Sequence, residues 1–270
     1  LAVVFIKQRY TAIALSLIFL ILSVFTVSRL QQNSIETNVS TQDETTYNMK
    51  GIWVSYITLD MQSTDKTKET FTKKINDIVG KTKESGFNTL IFQVRPFGDA
   101  LYKSRYYPWS HILSGTQGEN PNYDPLSIIT EICHENNIKV HAWINPYRVK
   151  TEYSPKTLSS DNPYTKDETI GFIHNDNIYL DPSNEKARKL IVNGVKEIVQ
   201  NYDVDGIQFD DYFYPSGADD VDEEQYTSYT KNSQNPLSKE EWRKENVNKL
   251  VKEVYSTVHK YGKDVTFGIS

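Results

Sequence analysis

The chain has 270 residues, of which 38% are hydrophobic, so it can bury a substantial core, and beyond its N-terminus the length suits one large domain or two small ones. The formal charge is -5, with Lys and Arg spread among acids, a pattern that lacks the basic stripe of a nucleic-acid binder. Aromatics make up 12% and include 18 tyrosines, which serve ordinary packing or a carbohydrate site that needs flat faces with a polar edge.

Residues 1–30 stand apart. Lys7 and Arg9 precede the uncharged run "TAIALSLIFLILSVFTVS", residues 11–28. Its length is near the lower limit for a bilayer span and long for a signal-peptide core. No clear small-x-small cleavage site follows, so an uncleaved anchor is favoured over a cleaved signal. Either way Lys7 and Arg9 are expected to stay in the cytoplasm and the remainder to be exported, anchored to the membrane through residues 11–28 or secreted. Residues 31–49 are polar and aperiodic and read as a flexible linker.

Beyond residue 50, five runs read as buried parallel strands: "GIWVSYI" (51–57), "NTLIFQV" (88–94), "IKVHAWI" (138–144), "DGIQFD" (205–210) and "VTFGIS" (265–270). Amphipathic helical patterns fall between them, carried by Phe71, Ile75, Ile78 and Val79, by Ile128, Ile129, Ile132 and Cys133, by Leu190, Ile191, Val195 and Ile198, and by Val247, Leu250, Val251, Val254 and Val258. Such alternation predicts βαβ units and a parallel sheet. Cys133 is the single cysteine and forms no internal disulfide; its place in an apolar pattern makes it a packing residue.

The connections are lopsided. Helix-to-strand links are short, whereas strand-to-helix links span 95–124, 145–183 and 211–238. Long loops gathered at the carboxyl ends of strands are the pattern of a (β/α)8 barrel, which builds its site there. No Gly-rich fingerprint follows any strand, which weakens a nucleotide-binding open sheet. The predicted fold is therefore α/β, a TIM barrel, with about five βα units in residues 50–270.

Strand parity selects candidate site residues. One face of each strand is apolar. The other carries polar groups toward the C-terminal end: Gln93, Arg95, His141, Asn145, Gln208 and Asp210. Each has a structural reading as a hydrogen-bonded layer, but together at one rim they predict a site. Asp211 has the opposite parity or lies beyond the strand, where it would cap a helix or orient an arginine. Asp99, in "RPFGDALY", and Asp181, in "YLDPSN", are further acids on top-face loops. Asp181 precedes a helix start, so capping is its expected role.

Several long stretches carry a family resemblance: "FQVRPFGDALYKSRYYPWSHILSGTQGENPNYDPL", "VHAWINPYRV", "YLDPSNEKARKLI" and "DVDGIQFDDYFYP", with "GIWVSYI" and "VTFGIS" at the ends. They resemble the glycosyl-hydrolase-like family 10 proteins, a family of bacterial envelope proteins with TIM-barrel catalytic domains. The likeness covers about residues 50 to 270, with the motifs in the family's order. It implies a glycoside hydrolase. Some relatives cut peptidoglycan glycan strands, notably those stripped of their peptides, which fits an exported, anchored domain. The family's barrel continues beyond "FGIS", so the sequence reads as part of a longer protein, C-terminally incomplete.

Glycoside hydrolysis usually needs two carboxyl groups, one as acid and one as base or nucleophile. Asp210 is the first candidate and Asp211 the second, with a further carboxylate possible on strands beyond Ser270. The run Asp205, Gly206, Ile207, Gln208, Phe209, Asp210, Asp211, Tyr212 resembles the strand motif of family 18 chitinases. It carries Tyr212 in place of their catalytic Glu, which argues against their substrate-assisted mechanism. Candidate substrate contacts are Gln93, Arg95, Asp99, His141, Asn145, Tyr147, Arg148, Gln208 and Tyr212. Arginine suits sugar hydroxyls or a lactyl carboxylate, and Trp53, Trp143, Tyr147 and Tyr212 could stack on sugar rings or simply pack. No cofactor is expected. No metal site is expected either, since His141 lacks a second histidine at ligand spacing, which leaves a zinc deacetylase as a weak rival. A non-catalytic glycan-binding protein on the same fold is the main alternative.

Overall fold

A computed structural model describes residues 48–270. The segments read above as anchor (1–30) and, but for its last two residues, linker (31–49) lie outside the described residues.

The elements run in this order. Strand β1 (Gly51–Val54) leads into a single helical turn, α1 (Tyr56–Leu59), then α2 (Lys68–Glu84) and β2 (Thr89–Arg95). A second short turn, α3 (His111–Ser114), precedes α4 (Pro125–Glu135) and β3 (Lys139–Ile144). The next connection holds β4 (Arg148–Lys150), α5 (Pro163–Lys166), β5 (Gly171–His174) and β6 (Asn177–Leu180). Then come α6 (Glu185–Asn201), β7 (Gly206–Phe209), α7 (Glu223–Asn232), α8 (Lys239–Tyr261) and β8 (Thr266–Ile269).

Five strands form one parallel sheet in the order β1-β2-β3-β7-β8. Each new strand is added to the same side of the last. A doubly wound sheet reverses direction at a switch point; this one does not, and that is the winding of a (β/α) barrel. The five strands and the helices between them are therefore the barrel units that the sequence predicted. Its first strand run was too long: β1 stops at Val54, and Tyr56–Leu59 coil into a helical turn.

Alternation along the strands sorts residues onto two faces. The rows Leu90–Val140 and Phe92–Ala142–Ile207 are in register, and all five side chains are fully buried. They join one core with Phe71, Ile75 and Val79 of α2, Ile129 and Cys133 of α4, Ile191, Val195 and Ile198 of α6, and Leu250, Val254 and Val258 of α8. Burying each such side chain contributes about 1.5–3 kcal/mol. Burial also pushes the Cys133 thiol up to about 12, so it is inert.

The opposite face is built in rows of large and small. In one row Trp53, Ile91, His141 and Gly206 are neighbours; in the next, Gln93, Trp143, Gln208 and Gly268. The two glycines are required by close approach. A Cβ on Gly206 would stand 2.6 Å from the His141 ring, and one on Gly268 would stand 2.3 Å from the Gln208 side chain. Trp53 and Trp143 meet edge to face, with ring centroids 4.8 Å apart.

The loops hold structure that periodicity did not reveal. β4, β6 and β5 form a small antiparallel sheet inside the β3-to-α6 connection. Its hairpin turns at Asn175 and Asp176, both with positive φ, the residue types and conformation of a two-residue type I′ turn. Helix α7 occupies the last long loop.

Candidate active site

The residue pair Asp210–Asp211 sits where β7 has just ended. Asp210 is half-buried, and its Oδ1 accepts the backbone N–H of Asp211 at 2.9 Å. Asp211 adopts φ of +52°, the left-handed conformation. A residue other than glycine held there stores strain, a feature concentrated at functional sites. The turn carries the Asp211 carboxylate to Arg148, whose guanidinium donates to Oδ2. The same oxygen accepts Asn145 Nδ2 at 3.3 Å. Asn145 therefore spans both acids, since its Nδ2 also reaches the Asp210 carbonyl at 3.3 Å.

Asn145 is itself fixed from below. Its Oδ1 accepts Gln93 Nε2 at 2.6 Å, and Gln93 Oε1 accepts the Tyr56 N–H at 3.0 Å. Asn145 and Gln93 are both sealed from solvent. The chain Tyr56–Gln93–Asn145–Asp211 thus links the ends of β1, β2, β3 and β7. The amide orientations follow from it, because each donor meets an acceptor.

Of the residues expected at the rim, Gln93, Asn145, Arg148, Asp210 and Asp211 come together. Gln208 lies in the Gln93 layer and donates to the Phe209 carbonyl at 3.4 Å. His141 is one layer deeper and 8% exposed; burial lowers its pKa, so the ring is held neutral. Tyr212 is half-buried and packs edge to face on Phe213, which is exposed.

Three expectations are corrected. Arg95 does not face the inner layer. Strands β2 and β3 slip register between Gln93 and Arg95, so Arg95 pairs with Ile144 and takes its helix-facing phase. Its guanidinium lies 4.3 Å from the centre of the Tyr107 ring, against Gly194 of α6, and is 1% exposed. Tyr147 is 2% exposed and sits in the helix-side core; burial raises its pKa, and it offers no face to a sugar. Asp99 is fully buried, where its Oδ2 accepts His111 Nδ1 and Gln117 Nε2, each at 2.9 Å.

Asp181 also differs from its expected role. Asn184 caps α6, accepting the N–H groups of Lys186 and Ala187. Asp181 makes a turn ahead of it, accepting the N–H and hydroxyl of Ser183 at 2.8 and 2.7 Å. It is 2% exposed and lines a cleft of about 770 Å³ with Trp242 and Asn246. Burial raises its pKa, against the opposing pull of the Ser183 bonds. Among the described residues, no group of three or more His, Cys, Asp or Glu is placed to hold a metal ion.

The pairing of Arg148 with Asp211 was not chosen from sequence; orienting an arginine was one of two roles open to Asp211 there, the other being a helix cap. The signal lay in "NPYRV" after a strand, where Arg148 falls three residues beyond Asn145.

Comparison with known proteins agrees with this architecture. The sequence is 35% identical over 232 residues to Glycosyl hydrolase YngK of Bacillus subtilis, covering 82% of this chain and 44% of that protein. It is 33% identical over 251 residues to Glycosyl hydrolase DigH of Escherichia coli K12, covering 86% and 56%. The chain thus spans about half the length of these curated relatives. Among solved structures, the glycoside hydrolase domain of PgaB (BpsB) from Bordetella bronchiseptica superposes with a TM-score of 0.54 at 13% identity, over 82% of this chain and 64% of that one, a likeness of fold. Residues 48–270 match the family described as Glycosyl hydrolase-like 10, and the chain belongs to that family.

Proposed function

We propose that this chain carries part of the active site of a glycoside hydrolase that cuts a cell-envelope polysaccharide, the glycan strands of peptidoglycan, with Asp210 as a catalytic carboxylate. The observation that supports this reading is the strained Asp210–Asp211 turn at a strand end, held by Asn145 and Arg148. Asp210 uses one oxygen to fix the turn and keeps the other for a substrate. Asp211 is the held partner. Its charge is met by Arg148, so it orients the turn and sets the local field. A free, positioned carboxyl group of this kind is one of the two that glycoside hydrolysis usually needs. Export, with residues 11–28 as the membrane segment, puts this site where the polymer is.

The test is Asp210→Asn in the full-length protein, assayed as release of soluble fragments from peptide-free glycan strands beside a thermal melt. Amide and carboxyl are nearly isosteric, so the melt should be preserved. Turnover should fall on the order of 100- to 10,000-fold. A variant that melts normally and retains turnover overturns the assignment of Asp210. Wild-type protein that binds strands and cuts none supports a glycan-binding protein instead. An inactive alkaline phosphatase fusion after residue 50 would overturn export.

A further inference from the structure

A second arrangement of reactive groups lies on the loops beside the Asp210 site and takes no part in it. His111 Nε2 is 2.6 Å from Ser154 Oγ, and His111 Nδ1 is 2.9 Å from Asp99 Oδ2. A carboxylate on one ring nitrogen and a hydroxyl on the other set the tautomer: Nδ1 carries the proton to Asp99, and Nε2 is left to accept from the serine. We infer that Ser154, His111 and Asp99 form a serine-hydrolase site that cleaves short acyl esters of the acetyl type, carried on hydroxyl groups of a sugar.

Four features support a nucleophile over a purely structural contact. Asp99 is fully buried, and Gln117 Nε2 donates to the same oxygen at 2.9 Å, so the orienting group is rigid. Gln117 is fixed in turn by the Ser159 N–H and Asn162 Nδ2. Among the described residues, His111 is the single basic group within ion-pair distance of Asp99. A positive charge formed on the ring during proton transfer is therefore met by a buried carboxylate that no lysine or arginine has neutralised. Ser154 is half-exposed, and its backbone is pinned by Thr151, whose N–H donates to the Ser154 carbonyl at 2.8 Å while its Oγ1 accepts the Ser154 N–H at 3.1 Å. The serine is thus part-exposed while its base, 5% exposed, is shielded.

The substrate class follows from the surroundings. Glu152, Tyr153, Lys156 and Thr157 around Ser154 are exposed, so the site offers little apolar cover and suits a short acyl group on a polar carrier. Tyr153 is 79% exposed and presents an aromatic face next to the nucleophile. Phe97 lies between this group and the other site: its ring is 5.4 Å from the His111 ring and 5.9 Å from the Arg148 guanidinium. The chemistry balances with water as the only co-reactant. Ser154 Oγ bonds to the acyl carbon as its proton passes to His111 Nε2. The ester C–O bond then breaks, and the proton on Nε2 goes to the departing sugar oxygen. Water, giving a proton to Nε2, attacks the acyl-serine; that proton returns to Oγ as the carboxylic acid leaves.

The experiment treats the full-length protein with a fluorophosphonate probe, maps the adduct by peptide mass, and follows p-nitrophenyl acetate hydrolysis. The expected result is a single adduct on Ser154. Hydrolysis should fall on the order of 100-fold or more in Ser154→Ala and in His111→Gln, with melting of Ser154→Ala preserved. Ser154 lies on a half-exposed loop, so its variant folds even if the His111 variant does not. No adduct on Ser154, or hydrolysis that survives Ser154→Ala, overturns the inference and leaves the three residues as a structural tie between loops. The readout is independent of glycan cleavage, so it stands or falls apart from the role of Asp210.

Discussion

Arg148 and Asp211, 63 positions apart in the chain, meet at the C-terminal rim of the sheet and hold the left-handed turn after β7 in place. The arginine comes from the loop that follows β3 and the aspartate from the loop that follows β7, so the contact joins two neighbouring barrel units. Its side chains are 18% and 46% exposed, which limits what the pair adds to stability, about 1 kcal/mol or less. Its value lies in geometry. Arg148→Ala is therefore expected to cost little in melting temperature and at least about tenfold in glycan turnover. Arg148→Lys should restore only part of it, because an ammonium lacks the planar fork that reaches the carboxylate. A large drop in melting temperature with turnover per folded molecule unchanged would show the pair to be structural.

The φ of +52° at Asp211 makes a second, sharper test. Glycine adopts this conformation without the steric cost that an L side chain bears, about 1 kcal/mol. Asp211→Gly should thus melt at the same or a higher temperature than the parent, despite losing the Arg148 contact. Its glycan turnover should fall, because the carboxylate that fixes Arg148 is gone. Stability and activity moving in opposite directions is the signature of strain kept for function. Loss of both together would mean that the carboxylate holds the loop.

Much of this site was legible in the sequence because parity is a local property of a strand. Gln93, His141, Asn145 and Gln208 fall on or beside the inner face as their alternation with Phe92, Ala142 and Ile207 requires. Parity failed at Arg95 for a physical reason: one extra residue, Val94, between two paired positions reverses every side chain beyond it. Nothing in "FQVRPF" announces that slip before the sheet is assembled. Tyr147 failed differently, since position after a strand end says nothing of whether a loop folds inward. The antiparallel sheet in the β3-to-α6 connection did have a signal, the Asn-Asp pair between two short apolar runs. The Ser154–His111–Asp99 group had none, because its members come from two separate strand-to-helix connections.

The corrected place of Arg95 predicts a packing phenotype at Gly194. A Cβ added there would lie 2.6 Å from Arg95 Nη1 and 2.7 Å from Tyr107 Cε2. Both neighbours are buried, so neither can swing into solvent. Gly194→Ala should destabilise the domain by about 1–3 kcal/mol, the usual range for overpacking, despite alanine's better helix propensity. Chemical denaturation measures this directly. An alanine variant as stable as the parent would place the Arg95 guanidinium away from α6.

Asp181 predicts a pH dependence whose sign can be worked out. Burial raises its carboxyl pKa in the fold above the ordinary aspartate value, and the Ser183 bonds only partly offset this. The folded state therefore holds the proton more tightly than the unfolded chain. Asp181 costs nothing as a charge below about pH 3.8, and its penalty grows as pH rises through the folded pKa. Asn in its place keeps an acceptor for Ser183 and carries no charge. Asp181→Asn should accordingly be more stable than the parent near neutral pH, read as a higher melting temperature. The gain should shrink as pH falls and vanish in acid. Thermal melts of both proteins from acid to neutral pH give the difference curve. A difference that is flat with pH, or that grows toward acid, would mean that Asp181 is held as a carboxylate in the fold, by Arg243 or by the turn at Ser183.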